Sequence, residues 1–309
     1  MKLYIAGIGG MLGSALAARA KCQGFEVVGK SSSELNLLNR DAVFREICET
    51  RPDALVIAAA KVGGIKANVE FPVQFLGENL QIQGNLLDAA FKAEVDRVIF
   101  IGSSCIYPRD CKQPISEDSL MTGPLESTNT AYAIAKIAGI QLVESYRIQF
   151  GVDWRSVLPC NLYGPGDNFD LATGHVLSSL LRKFAKSLDE NSPAVEIWGD
   201  GTPIREFLYV EDAADGILHV LAQDSTPSIL NLGSGHGITI RELAELISHV
   251  VDYQGNLQFN PKMPNGTPKK VLDVSRITQT GWSAKVDILD GIRKTYKWYR
   301  LQEGSFRGG

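Results

Sequence analysis

The chain alternates short apolar runs with longer segments whose apolar positions recur at helical spacing. Residues 2–6 (KLYIA) are apolar and lead into glycines. Residues 14–24 then carry Ala and Leu at helical intervals. The same alternation continues: strands are predicted over 25–29, 54–60 (ALVIAAA), 98–101 and 153–158, and helices over 40–51, 71–93 and 130–150. Apolar runs without a polar alternate face are strands buried on both sides, as in a parallel sheet covered by helices. After residue 165 the alternation loosens. Helices are predicted over 176–188 and 211–221, and strands over 195–199 and 228–232. Thr239 and Glu242 form a capping box that opens a helix to Val251, and residues 287–299 form a last amphipathic helix. The fold class is α/β: a Rossmann-type doubly wound parallel sheet with a smaller C-terminal α/β lobe. The sheet domain is expected over 1–165 with one return at about 206–235. The second lobe takes about 166–205 and 236–309, and a site is expected between them.

The glycines after the first strand fall at Gly7, Gly10 and Gly13, a G-x-x-G-x-x-G spacing between strand and helix. Bare backbone there can approach a pyrophosphate, whose charge sits at a helix N-terminus. The expected cofactor contacts are Gly7, Gly9, Gly10, Met11, Leu12 and Gly13. After the second strand come Lys30, Ser31, Ser32 and Ser33, with no acid until Glu34. A carboxylate there would repel a ribose 2′-phosphate, whereas a Lys and hydroxyls would hold one, so NADP(H) is favoured over NAD(H).

A second constellation lies at the end of the fourth strand, where VIFI runs into Gly102, Ser103, Ser104 and Cys105. Tyr132 and Lys136 are four apart in the helix that follows, and so share a face. A Ser hydroxyl, a Tyr phenol and a Lys ammonium together make a proton-delivery unit, in which the ammonium is expected to lower the phenol pKa. Taken singly, a Ser pair at a strand end and a Tyr-x-x-x-Lys helix face are ordinary structure; the glycine turn gives them meaning. The loop over 105–127 is long enough to shape a site.

Composition narrows the possibilities without choosing among them. The formal charge of −4 offers no basic field for nucleic acid, and no apolar run reaches membrane-spanning length. Cys22, Cys48, Cys105, Cys111 and Cys160 are odd in number and lack a C-x-x-C spacing. They read as reduced thiols in a cytoplasmic protein, and no metal is expected.

With these residues placed, the chain resembles the extended short-chain dehydrogenase/reductase family. Within it, the likeness is to the branch that epimerises and then reduces a GDP-linked 4-keto-6-deoxy sugar. The stretches AAAKVGGIKAN (58–68), GSSCIYP (102–108), YAIAKIAGI (132–140), NLYGPGDNF (161–169), WGDGTPIREFLYVED (198–212) and NGTPKKVLDV (265–274) carry the resemblance. It implies Ser103, Tyr132 and Lys136 as the reductive triad and Cys105 with His175 as the epimerising base and acid. It also implies cofactor contacts from Gly102, Ser103, Ser104, Lys136, Pro159, Cys160, Asn161, Leu162 and His175. Lys183, Trp198, Arg205 and Asn265 are implied on the GDP-sugar, and a homodimer paired through helices 71–93 and 130–150. The chain departs from the family pattern at three places. Gly9 and Ser32 stand where arginines are common, which weakens the grip on a 2′-phosphate, and Asn265 replaces a common Asp. A dideoxy-sugar synthase on a related GDP-sugar, and an idle dinucleotide-binding module, are the alternative readings.

Overall fold

The computed structural model describes residues 1–171, 173–263 and 265–302. The first half alternates as β1 (Lys2–Ala6), α1 (Met11–Cys22), β2 (Glu26–Val28), α2 (Arg40–Thr50), β3 (Ala54–Ile57), α3 (Ile65–Glu70), α4 (Pro72–Lys92), β4 (Arg97–Ile101), α5 (Thr130–Phe150) and β5 (Asp153–Pro159). There follow β6 (Asn161–Tyr163), α6 (Val176–Asp189), β7 (Ala194–Trp198), β8 (Ile204–Tyr209), α7 (Val210–Ala222), β9 (Ile229–Leu232), β10 (Gly237–Thr239), α8 (Ile240–Val251), β11 (Asn256–Asn260), β12 (Lys269–Lys270), α9 (Ser275–Gln279) and α10 (Ile288–Leu301).

Six parallel strands form the central sheet in the order β2-β1-β3-β4-β5-β9. The expected doubly wound architecture is therefore present. Its strands read as unbroken apolar runs because helices cover both faces: every residue of β3 is buried. Helices α2, α4 and α5 pack side by side, and α1 packs on α7. There Arg19 makes a two-pronged pair with Asp215, both N···O distances being 2.7 Å. Strand order reverses between β1 and β3, which opens a crevice at their carboxyl ends. Leu272, Ile277 and Trp282 also pack into this core. The chain thus comes back to it twice, where the sequence predicts one return. The second return is short, and one apolar residue in a five-residue helix leaves no periodic signal.

A second core lies among Leu177, Leu181 and Phe184 of α6, Leu243 and Ile247 of α8, and Ile292 of α10. Strands β10, β8 and β12 make a small sheet on which β6 also pairs with β8, while β7 and β11 pair separately. The Thr239–Glu242 capping box forms as the sequence predicts. Helix α3 was not predicted; its Asn68 amide donates to the Gly63 and Gly64 carbonyls and folds the glycine pair against the helix.

Candidate active site

Chain chemistry explains the turn after β1. Gly7 has φ +87°, and a Cβ there would stand 2.7 Å from the Ala59 backbone nitrogen, so only glycine lets β1 and β3 deliver their loops together. A Cβ on Gly13 would overlap the Gly7 carbonyl. The start of α1 is capped by Gly10, which offers no side-chain acceptor, and its first turn has no acid. Its N–H groups are thus left to an anion, and the residues present fit the diphosphate of a dinucleotide. The loop after β6 lies over this turn: a Cβ at Gly166 would meet Met11 at 3.6 Å.

Beyond β2 the arrangement differs from the expectation of a free Lys and free hydroxyls. The Lys30 ammonium is 3.8 Å from the Glu46 carboxylate. The chain turns back so that Glu34 Oε2 accepts from the Ser31 N–H at 2.8 Å and from its hydroxyl at 2.6 Å. These bonds, with Lys30 near, hold the Glu34 carboxyl below its ordinary range. Ser32 is exposed. An acid three places on in sequence is thereby brought to the position where the sequence read only cations and hydroxyls.

The fourth strand ends as predicted. Gly102 donates to the Val157 carbonyl at 2.8 Å, and a Cβ on it would overlap Leu158. Ser103 is extended, with its hydroxyl accepting from the Cys105 N–H at 3.2 Å, and Ser104 is buried. Tyr132 and Lys136 point toward this strand end from α5. Lys136 is 3% exposed, donates to the Ile101 carbonyl at 2.7 Å and stands 5.9 Å from the Tyr132 ring centre. The structure thus joins Ser103, Tyr132 and Lys136. Their electrostatics differ from the expectation, however. Burial pushes the Tyr132 phenol up, Cys105 adds to the rise, and the Ser103 hydrogen bond only partly opposes it. Burial also pushes Lys136 down to about 7. Desolvation outweighs the ammonium's pull on the phenol, and Tyr132 is a protonated donor. β5 ends at Pro159, and Cys160 leads into β6, where Asn161 donates to the Glu206 carbonyl at 2.8 Å. Burial raises the Cys160 thiol well above its ordinary range, so it is inert; Leu162 packs against the first core.

Cys105 lies close enough to Arg205 and to Tyr132 to interact electrostatically with both. Arg205 is carried by β8, and its guanidinium donates to the Ile204 carbonyl at 2.9 Å. Glu126, which the sequence did not single out, faces Arg205 and accepts from the Thr267 hydroxyl at 3.2 Å. His175 sits on a different element, as the N-cap residue of α6. Gly64 donates to the Thr173 carbonyl at 2.9 Å, which pins the preceding loop beside the β3 loop. Asp167 feels the His175 charge and accepts from the Ser178 hydroxyl in the first turn of α6. Asp167 was also missed; a carboxylate shortly before a helix that opens with His is the local signal that could have found it.

The four expected substrate residues come from α6 (Lys183), β7 (Trp198), β8 (Arg205) and the loop before β12 (Asn265). Lys183 stands 5.5 Å from the ring of Trp198, which is 53% exposed, and donates to the Glu196 carbonyl at 3.1 Å. An exposed indole beside a cation suits a flat base with a nearby diphosphate. Asn265 Oδ1 accepts from the Asp200 N–H at 2.9 Å, so the loop is fastened with an amide in place of the common carboxylate. A Cβ at Gly266 would stand 3.1 Å from the Arg205 guanidinium, which brings Arg205 and this loop together. Among the described residues no cluster of His, Cys, Asp or Glu could hold a metal, and no helix is long and apolar enough to cross a membrane.

The model of the NAD dependent epimerase/dehydratase family matches residues 3–233. The chain belongs to this family. Its resemblance to the extended short-chain reductases, read from the site motifs, is borne out along the whole chain. A GDP-L-fucose synthase from Escherichia coli is 45% identical, with 99% of each chain covered. A GDP-L-colitose synthase from Yersinia pseudotuberculosis is 38% identical over 97% of this chain and 98% of that one. The structure of a GDP-L-fucose synthetase from Naegleria fowleri bound to NADP superposes with a TM-score of 0.92 at 26% identity, covering 99% of this chain and 96% of that one.

Proposed function

We propose that the chain acts as a GDP-L-fucose synthase: it inverts C3 and C5 of GDP-4-keto-6-deoxy-D-mannose and then reduces C4 with NADPH. The observation that carries this reading is the meeting of Ser103, Tyr132 and Lys136 with Cys105 at one strand end, in a chain 45% identical to such an enzyme from end to end. The cofactor is NADP(H), which supplies the hydride to C4 when bound.

The chain's own groups perform the rest. C3 and C5 both flank the C4 ketone, so loss of a proton from either gives an enolate with its charge on O4. Ser103 and the protonated Tyr132 donate to that oxygen. Cys105, in its thiolate form and within the field of Arg205, takes the proton from one face. His175 returns a proton on the other face. Once both centres are inverted, Tyr132 gives its proton to O4 as C4 is reduced. Lys183, Trp198, Arg205 and Asn265 hold the GDP portion.

In this reading residues 1–165 and 206–235, joined by the return at Leu272, Ile277 and Trp282, hold the cofactor, and 166–205 with the rest of the C-terminal part the nucleotide sugar. The enzyme is a cytoplasmic homodimer. Five free thiols support the compartment. Exposed Val73 and Leu80 on α4 and Ile134, Ile148 and Phe150 on α5 support pairing through those helices. The test is incubation with GDP-4-keto-6-deoxy-D-mannose and NADPH. GDP-L-fucose is the expected product; a different sugar, or no consumption of substrate, overturns the assignment. Identity is higher to the fucose synthase than to the colitose synthase, which favours the first.

A further inference from the structure

The segment after β2 contains an acid that the NADP reading does not use. Glu34 folds back onto Ser31, three residues beyond the end of β2, and its Oε2 takes both the Ser31 N–H at 2.8 Å and the Ser31 hydroxyl at 2.6 Å. The Ser31 hydroxyl also shares a 2.9 Å contact with that of Ser33. Lys30, the adjacent cation, is 3.8 Å from Glu46. In the glycine turn Gly9 contributes no side chain, and nothing lies within 4 Å of where its Cβ would be. Of the groups expected to meet a 2′-phosphate, Lys30 and Ser31 are thus engaged with carboxylates and Gly9 supplies none, which leaves the hydroxyls of Ser32 and Ser33. The same region presents an exposed carboxylate, the group that accepts from a free ribose 2′-hydroxyl at the end of the second strand of a dinucleotide fold.

We infer that Glu34 sets the cofactor selectivity of this enzyme, accepting the adenosine ribose 2′-hydroxyl of NAD(H) and opposing the 2′-phosphate of NADP(H), so that the chain binds both cofactors with little discrimination. The inference rests on the glycine turn being the cofactor site, and concerns only the far end of the adenosine ribose. The carboxylate is kept ionised by its bonds to Ser31, so its charge is present throughout the working pH range. A phosphate entering here must either displace Glu34 from Ser31 or draw Lys30 from Glu46. A 2′-hydroxyl requires neither, because the second oxygen of Glu34 can accept it while the bonds to Ser31 remain.

Binding of NADP⁺, NAD⁺ and adenosine 2′,5′-bisphosphate, measured by calorimetry without any sugar, tests this apart from catalysis. Wild type is expected to favour NADP⁺ over NAD⁺ by less than about thirtyfold. Replacing the charged acceptor in Glu34→Gln, which keeps an amide oxygen for Ser31, should raise that ratio at least about fivefold, the scale of one charge-assisted hydrogen bond. Adenosine 2′,5′-bisphosphate should bind this variant more tightly. Gly9→Arg, placed in open space, should shift the ratio the same way by adding a cation that meets no carboxylate there. A wild-type ratio above about thirty, or a ratio that Glu34→Gln leaves unchanged, overturns the inference. Failure of both dinucleotides to bind would be a different outcome: it would remove the glycine turn as the cofactor site, and the inference with it.

Discussion

Replacing Lys136 with Met should separate what the site does from what the fold prefers. Lys136 is 3% exposed and burial lowers it from 10.5 to about 7. The folded protein therefore releases its proton some three and a half units earlier than the unfolded chain does, a difference of about 5 kcal/mol at 1.36 kcal/mol per unit. The sign follows from proton counting. Above 10.5 neither state carries the proton, and burial of the amine carries no charge penalty. As the pH falls toward 7 the unfolded chain binds a proton that the folded chain does not, so folding weakens by about 1.4 kcal/mol per unit; below 7 both are charged and the loss is constant. Met has a similar length and no charge. It gives up the 2.7 Å bond to the Ile101 carbonyl, worth about 1–3 kcal/mol, at every pH. Denaturant unfolding of wild type and Lys136→Met should thus give stability curves that diverge. Between pH 9 and pH 7.5 the wild type should lose about 2 kcal/mol relative to the variant, while the variant reduces no ketone. Parallel curves across this range would refute the claim that the site holds a desolvated lysine, whatever the activity.

Tyr132→Phe keeps the ring edge-on to Phe75 but removes the proton donor, and should lower the reduction rate at least ~10²-fold in single-turnover NADPH oxidation. Gly13→Ala forces a Cβ into the Gly7 carbonyl. It should lower stability by about 1–3 kcal/mol in a denaturant titration and abolish dinucleotide binding, because the turn has to open. Light scattering at micromolar concentration should give a dimer, and Ile148→Glu with Val73→Glu, on the exposed faces of α5 and α4, should give monomer.

What the sequence revealed, and what it hid, divide along physical lines. β1, β3 and β4 were legible because strands covered on both faces must be apolar throughout. Helix α8 was legible because its cap is local: Thr239 and Glu242 satisfy each other within one turn. Ser103, Cys105, Tyr132 and Lys136 were legible because the first two follow the end of a strand and the last two share a face of a helix, elements whose type the pattern fixes. By contrast, β10 and β12 are three and two residues long, too short for any period to register. The Tyr132 pKa was misjudged because a sequence displays charges but not their desolvation, and here desolvation prevails. Glu34 was passed over as lying beyond the strand end because a turn, held by two bonds to Ser31, is what brings it back. Glu126 and Thr267 meet across 141 positions, and nothing local announces such a pair.

The central claim is that one site both inverts and reduces. Its most direct test is deuterium incorporation at C3 and C5 of the keto sugar in D₂O, with NADP⁺ present so that reduction cannot follow. The wild type should exchange at both carbons, Cys105→Ser should lose exchange while still oxidising NADPH in a separate reduction assay, and His175→Asn should lose productive inversion. Undiminished exchange at both carbons in Cys105→Ser would contradict the account, since the base would then lie elsewhere than at the strand end that also delivers Ser103.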